Sequence, residues 1–224
     1  MTKTPWQPGP ARPRLADDAV DVWLIVLDGT RADDSLSAEE RERAARFVRE
    51  EDRDRWTSAR AALRELLGAY AAADPRQLRF VEGPHGKPAL AGDDGALRFN
   101  LSHSAGTAVI AVARGREVGV DVELPRRAVD HVAIARRVLD ADQADRIAAI
   151  EDLAERERAF LSAWVRWEAV LKCRGTGIGG GEDVSTGPPP WVAELPIAPP
   201  AAAALAVEEG PVAVRTWRWP PAAA

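Results

Sequence analysis

In the run Val118-Gly119-Val120-Asp121-Val122-Glu123, valine occupies every second position. An extended backbone therefore sends Gly119, Asp121 and Glu123 to one face. Two carboxylates about 7 Å apart on one face repel each other unless a cation lies between them, and hard divalent ions take oxygen ligands. A solvated strand end is the plainer alternative. Glu168 and Lys172 stand four apart in Trp164-Val165-Arg166-Trp167-Glu168-Ala169-Val170-Leu171-Lys172, so they share a helical face. Such a pair can be simple surface support, yet Trp164, Trp167, Val170 and Leu171 give it apolar company. That setting suits a third metal ligand, Glu168, beside a cation, Lys172, directed at phosphate oxygens. The run Phe99-Asn100-Leu101-Ser102-His103-Ser104-Ala105-Gly106 brings hydroxyls, an imidazole and loop amides together, as an anion-binding turn requires. No nucleophile and acid accompany the histidine in the arrangement of a hydrolytic triad. Gly86-Lys87-Pro88 sets a further lysine in a loop whose glycine and proline constrain the backbone.

These segments need strands and helices to hold them. A β-branched run from Val20 to Leu27 reads as a strand ending in the turn Asp28-Gly29. Ser37 with Glu39 and Glu40 starts a helix that carries Ala44, Phe47 and Val48 at helical spacing. A second helix runs from Asp52 to Tyr70. Strands are expected at Leu78–Val81, Leu97–Leu101, Thr107–Ala113 and Glu117–Glu123, then helices at Val129–Leu139, Asp142–Ile150 and Leu153–Arg174. Val192–Leu195, Ala203–Val207 and Val212–Trp217 complete the strands. The proline-rich first fourteen residues and the segment Gly187–Pro200 around its short strand read as irregular, and Ala222–Ala224 as a tail. The fold class is α+β, in two similar halves that meet near residue 115, with 15–115 as the first and 116–219 as the second. A cleft between halves is the natural place for a site.

Composition narrows the chemistry. The 224 residues hold one cysteine, Cys173, which excludes an internal disulfide framework and a four-thiolate zinc site. A net charge of -5 from 30 basic and 35 acidic residues argues against a general nucleic-acid binder. No run approaches the roughly 20 apolar residues of a membrane span, and the first residues lack a secretory signal core, so a soluble cytoplasmic protein is expected. Among the 30 basic residues only Lys3, Lys87 and Lys172 are lysine. Two of the three lie in the segments singled out above.

Taken together and in this order, the segments resemble the 4'-phosphopantetheinyl transferase superfamily, in particular its larger, monomeric members of the surfactin-synthetase-activating type. The family pattern has a Gly-Lys-Pro loop, an Asn-Leu/Ile-Ser-His-Ser turn, a Val/Ile-Gly-Val/Ile-Asp-x-Glu strand and a Trp-x-x-Lys-Glu-Ala-x-x-Lys helix. Here these are Gly86–Pro88, Asn100–Ser104, Val118–Glu123 and Trp164–Lys172. The resemblance implies two α/β halves related by a pseudo-twofold axis, with the active site in the cleft between them. It implies magnesium-dependent transfer of the phosphopantetheine arm of coenzyme A to a serine of an acyl or peptidyl carrier protein, releasing adenosine 3',5'-bisphosphate. Asp121, Glu123 and Glu168 would hold Mg²⁺, or Mn²⁺ in its place. Lys172 would neutralise a pyrophosphate oxygen, and Glu168 is also the candidate base. Ser102 and His103 would take the 3'-phosphate, Gly86, Lys87 and Pro88 would border adenine and ribose, and Arg43 and Arg60 would reach coenzyme A phosphates. Where the family has lysine before the helical glutamate, this chain has Trp167, which removes a positive charge beside the site. Large members serve polyketide and nonribosomal peptide assembly lines. Arg126, Arg127, Arg136 and Arg137 are candidate contacts for an acidic carrier helix, with neither nucleic acid nor membrane as partner. A metal-dependent phosphohydrolase of a small nucleotide and a non-catalytic carrier-binding module are the alternatives.

Overall fold

The computed structural model describes residues 5–28, 34–83, 86–93, 96–126, 129–176 and 187–219. Gly29, Arg127 and the tail 222–224 lie outside the described residues. In chain order the strands and helices are β1 (Gln7–Pro8), β2 (Ala19–Val26), α1 (Ala38–Ala45), α2 (Glu50–Ala71), β3 (Phe80–Glu82), β4 (Pro88–Leu90), β5 (Leu97–Ser104) and β6 (Thr107–Arg114). There follow β7 (Val118–Glu123), α3 (His131–Val138), α4 (Ala141–Ala148), α5 (Leu153–Arg174), β8 (Trp191–Glu194), β9 (Ala202–Val207) and β10 (Ala213–Trp219).

Uninterrupted apolar runs become strands buried on both faces. In β6, Ala108 to Ala113 are fully buried: Ala108, Ile110 and Val112 meet the α2 side, and Val109, Ala111 and Ala113 meet the other. The first sheet runs β1-β10-β2-β6-β5, and the second β7-β9-β8. On one side, α2 covers the first sheet with Ala59, Ala62, Leu63, Leu66 and Leu67. On the other, Val20, Val22 and Val109 press against Val118, Val120, Val122 and Leu205 of the second sheet. The outer face of that second sheet carries Ala204 and Ala206, which pack on Val165, Ala169 and Cys173 of α5. The layers are therefore helix, sheet, sheet, helix: two α/β halves set back to back. One exchange joins them, because β10, late in the chain, pairs in parallel with β2 in the first sheet.

The sequence places the first helix well but carries it too far. Ser37 and Glu40 form a reciprocal capping box at its start, whereas the helix ends at Ala45, as the Arg46 amide turns back to Arg43 and Ala44. Phe47 then packs on Trp56 with ring centres 5.8 Å apart, and Val48 is left exposed. Two short strands escape the sequence reading, β1 in the irregular N-terminal stretch and β4 directly after Lys87.

The sheets meet along β5 and β7 in an uncommon way. Val120 N donates to Asn100 Oδ1 (2.9 Å), Val122 N to Ser102 Oγ (3.4 Å) and Leu124 N to Ser104 Oγ (3.2 Å), at a constant offset of 20 residues. The two strands thus run parallel, with side-chain oxygens standing where a ladder would have carbonyls.

Candidate active site

Gly119, Asp121 and Glu123 face α5, as the two-residue period requires. A β-carbon on Gly119 would overlap the Ala169 carbonyl and the Cys173 amide nitrogen. The glycine therefore lets α5 lie against β7. Opposite Gly119, Asp121 and Glu123, the paired strand β9 offers Ala206, Ala204 and Ala202, so this face is lined with small residues. Close approach is what brings a helical Lys172 to a strand Asp121.

Lys172 Nζ donates to Asp121 Oδ1 at 2.5 Å and to Ser102 Oγ at 3.1 Å. Ser102 Oγ donates to the same Asp121 oxygen at 2.7 Å and accepts from Val122 N, which exhausts the hydroxyl's capacity. One contact network thus joins β5 of the first half with β7 and α5 of the second. Asp121 is buried, and its second oxygen, Oδ2, has no hydrogen-bond partner among the described residues. Two steps along β7, Glu123 accepts from Ser104 Oγ at 2.8 Å and from Arg126 at 3.1 Å. Glu168 is buried on α5. Burial pushes its carboxyl above the usual glutamate range; Lys172 opposes the shift, while the charges of Asp121 and Glu123 add to it.

His103 stands next to Ser102 on the opposite side of β5 and is exposed. Desolvation by its neighbours, then the charge of Lys172, pull its pKa below the ordinary histidine value against Glu123. Trp167 packs on Trp164 with tilted rings 5.3 Å apart between centres, in a row continued by Phe160 and His131. It packs along the helix flank while its neighbour Glu168 is buried beneath, so the departure at 167 leaves the glutamate in place.

The remaining predicted site residues are more dispersed. Gly86 is exposed with φ of +79°, in the hairpin between β3 and β4, ahead of Lys87 and Pro88. Lys87 turns its ammonium inward, to Glu117, Val118 and Cys173. Arg43 lies over the Trp56 ring at 5.5 Å. Arg60 is bound to Glu40 through two nitrogens, over the ring of Phe80. Arg126 pairs with Glu123, and Arg136 and Arg137 are exposed in the last turn of α3. The sequence names Asn100 and Ser104 within the motif but gives them no separate role; the structure makes their side-chain oxygens acceptors that join β5 to β7, and their signal is the alternation of small polar residues through an apolar strand.

The donor set suits a hard divalent cation in kind: Asp121, Glu123 and Glu168 supply carboxylate oxygens, one of them buried and unpaired. Among the described residues, however, no three acidic, histidine or cysteine side chains stand gathered as a cation site. Lys172 occupies part of that place, on Asp121 Oδ1.

Two family descriptions match the chain in tandem: "4'-phosphopantetheinyl transferase, N-terminal" over residues 28–115 and "4'-phosphopantetheinyl transferase superfamily" over residues 117–204. The chain belongs to the 4'-phosphopantetheinyl transferase superfamily. Among curated proteins it is 34% identical over 192 residues to 4'-phosphopantetheinyl transferase HetI of Nostoc, spanning 82% of this chain and 80% of that one. It is 32% identical over 182 residues to a phosphopantetheinyl transferase of Thraustochytrium, covering 73% and 63% of the two chains. To the human L-aminoadipate-semialdehyde dehydrogenase-phosphopantetheinyl transferase it is 27% identical over 166 residues, 70% of this chain and 52% of that one. The chain is thus an enzyme of a transferase family, and among the described residues no helix is long and apolar enough to cross a membrane.

Proposed function

We propose that the site described above moves the 4'-phosphopantetheine arm of coenzyme A onto a serine hydroxyl of an acyl or peptidyl carrier protein. The observation that carries this reading is the joint contact of Ser102, Asp121 and Lys172, drawn from both halves, with one buried carboxylate oxygen left without a partner among the described residues.

In the reaction the serine oxygen forms a bond to the β-phosphorus of coenzyme A. The bond from that phosphorus to the bridging oxygen breaks, and adenosine 3',5'-bisphosphate leaves with the electron pair. Charge grows on the departing phosphate, and the Lys172 ammonium would offset it. Glu168 is the candidate to receive the serine proton, because burial has raised its affinity for one. Asp121, Glu123 and Glu168 would hold a magnesium or manganese ion, which when bound supplies further charge neutralisation at the pyrophosphate. In this reading His103 and the backbone at Ser102 would take the 3'-phosphate, because the Ser102 hydroxyl is already saturated, and Gly86–Pro88 would border the nucleoside. A phosphate beside His103 would favour its protonated form. Arg136 and Arg137 offer exposed positive charge to an acidic carrier surface, and the proposed catalyst works as a cytoplasmic monomer.

The decisive experiment incubates the protein with coenzyme A, Mg²⁺ and an apo carrier, then weighs the carrier by mass spectrometry. One added phosphopantetheine per carrier is expected. Coenzyme A cleavage without carrier modification would replace this reading with hydrolysis.

A further inference from the structure

We propose that Lys87 is a positioning residue, a pin from the hairpin of the first half into β7 and α5 of the second that sets where Asp121 and Lys172 stand. The proposal rests on the transferase reading for its kinetic part only. A lysine ammonium has three N–H donors, and here all three have acceptors: Glu117 Oε2 at 2.5 Å, the Cys173 carbonyl at 2.8 Å and the Val118 carbonyl at 3.1 Å. The ammonium is therefore saturated by protein and has no donor left for a phosphate.

Each acceptor is informative. Cys173 O is among the last four carbonyls of α5, which lack an amide one turn ahead, and a cation there also meets the negative end of the helix dipole. Cys173 directly follows Lys172 in the chain. Val118 opens β7 three residues before Asp121, so one ammonium grips the backbone beside both members of the Asp121–Lys172 pair. Glu117 is fixed in turn by Arg98 Nε of β5 at 2.7 Å, which ties the pin to the strand that carries Ser102. The lysine stem reaches this place past Gly175, the left-handed cap of α5, where an added β-carbon would lie 3.4 Å from Lys87 Cδ. A guanidinium is too broad and planar to point three donors at acceptors on three sides.

The test compares Lys87→Met, Lys87→Arg and Glu117→Gln with the parent protein at 25 °C, below the melting range of each. Glu117→Gln keeps one acceptor oxygen and so should fold even where Lys87→Met does not. If Lys87 positions the pair, kcat falls by about tenfold or more in all three, while KM for coenzyme A stays within about twofold. Melting temperatures fall by about 4 °C, and the double variant Lys87→Met/Glu117→Gln is no worse than Lys87→Met alone. A rise in coenzyme A KM at unchanged kcat, with Glu117→Gln silent, would make Lys87 a ligand contact and overturn the proposal. So would a lower melting temperature at unchanged kcat, or no change in either. Should the parent protein modify no carrier at all, the transferase reading fails, and hydrogen exchange of the Val118–Asp121 amides, faster in the variants, still decides for or against the pin.

Discussion

Two charge clusters in this molecule are built on opposite principles. In the first, Glu40 of α1 meets Arg60 and Arg64 of α2: Oε1 accepts from Arg60, and Oε2 from Arg64 and the Ser37 amide. Arg64 spends its other arm on the carbonyls of Pro75 and Leu78. Burial pushes the Glu40 carboxyl up, but the Ser37 amide and the two guanidiniums outweigh it, and the group ionises below the usual range. In the second, Asp121 binds Lys172 and Glu123 binds Arg126, Asp121 Oδ2 has no hydrogen-bond partner among the described residues, and burial shifts the Glu168 carboxyl upward. The first is closed and holds α1 to α2. The second keeps polar capacity unspent, and capacity that protein does not use is available to a ligand or a proton.

Substitutions can break this contrast. Asp121→Ala should remove carrier modification by about 1,000-fold while the circular dichroism spectrum stays that of the parent. Retained transfer would dissolve the distinction, since the open cluster would then be as structural as the closed one. Glu40→Ala strips a buried counter-charge from two arginines and should cost about 3 kcal/mol in urea denaturation; a loss below about 0.5 kcal/mol would mean that apolar packing alone orders α1. Glu168→Gln should go the other way, abolishing transfer yet stabilising the fold by about 1 kcal/mol at pH 8. The sign follows from linkage: a carboxyl whose folded pKa is raised binds its proton more tightly in the folded state, so stability falls as pH rises above the ordinary value of 4.5. The advantage of glutamine should therefore shrink as the pH is lowered toward 4.5, and a Glu168→Gln protein less stable than the parent at pH 8 would show Lys172 already compensating the charge. The smallest expected effect is none: burial pushes the Cys173 thiol up to about 11, so iodoacetamide should spare it at pH 8 in native protein and label it in denaturant. Native labelling would reveal that the last turn of α5 opens.

What could be read in advance follows from range. Period two assigns Asp121 and Glu123 to one face without knowledge of anything else, and i,i+4 spacing does the same for Glu168 and Lys172. The apolar runs of β2 and β6, and the length of α5, announce themselves as elements. Gly119 reads as one more small strand residue until the helix it admits is known. Lys87 finds its acceptors 30, 31 and 86 residues away, and Arg60 its carboxylate 20 away, so the motif shows that a cation is present but not what it holds. Asn100 and Ser104 acquire meaning only because β5 and β7 run side by side, a matter of strand order that local pattern does not encode. β4 is three residues long and opens with proline, too little alternation to register as a strand.

The placement of β10 between β1 and β2 has a consequence for biosynthesis. Arg215 Nε binds Asp21 across 194 positions of sequence, and β2 has its full set of partners only when β10 arrives. During translation the first half must wait beside the ribosome with one edge of its central strand open, a strand whose neighbours on both faces are apolar. Completion of this first sheet thus waits on contacts of very long sequence separation, which slow folding. A fragment ending near residue 115 should expose that edge and associate, rather than persist as a soluble half.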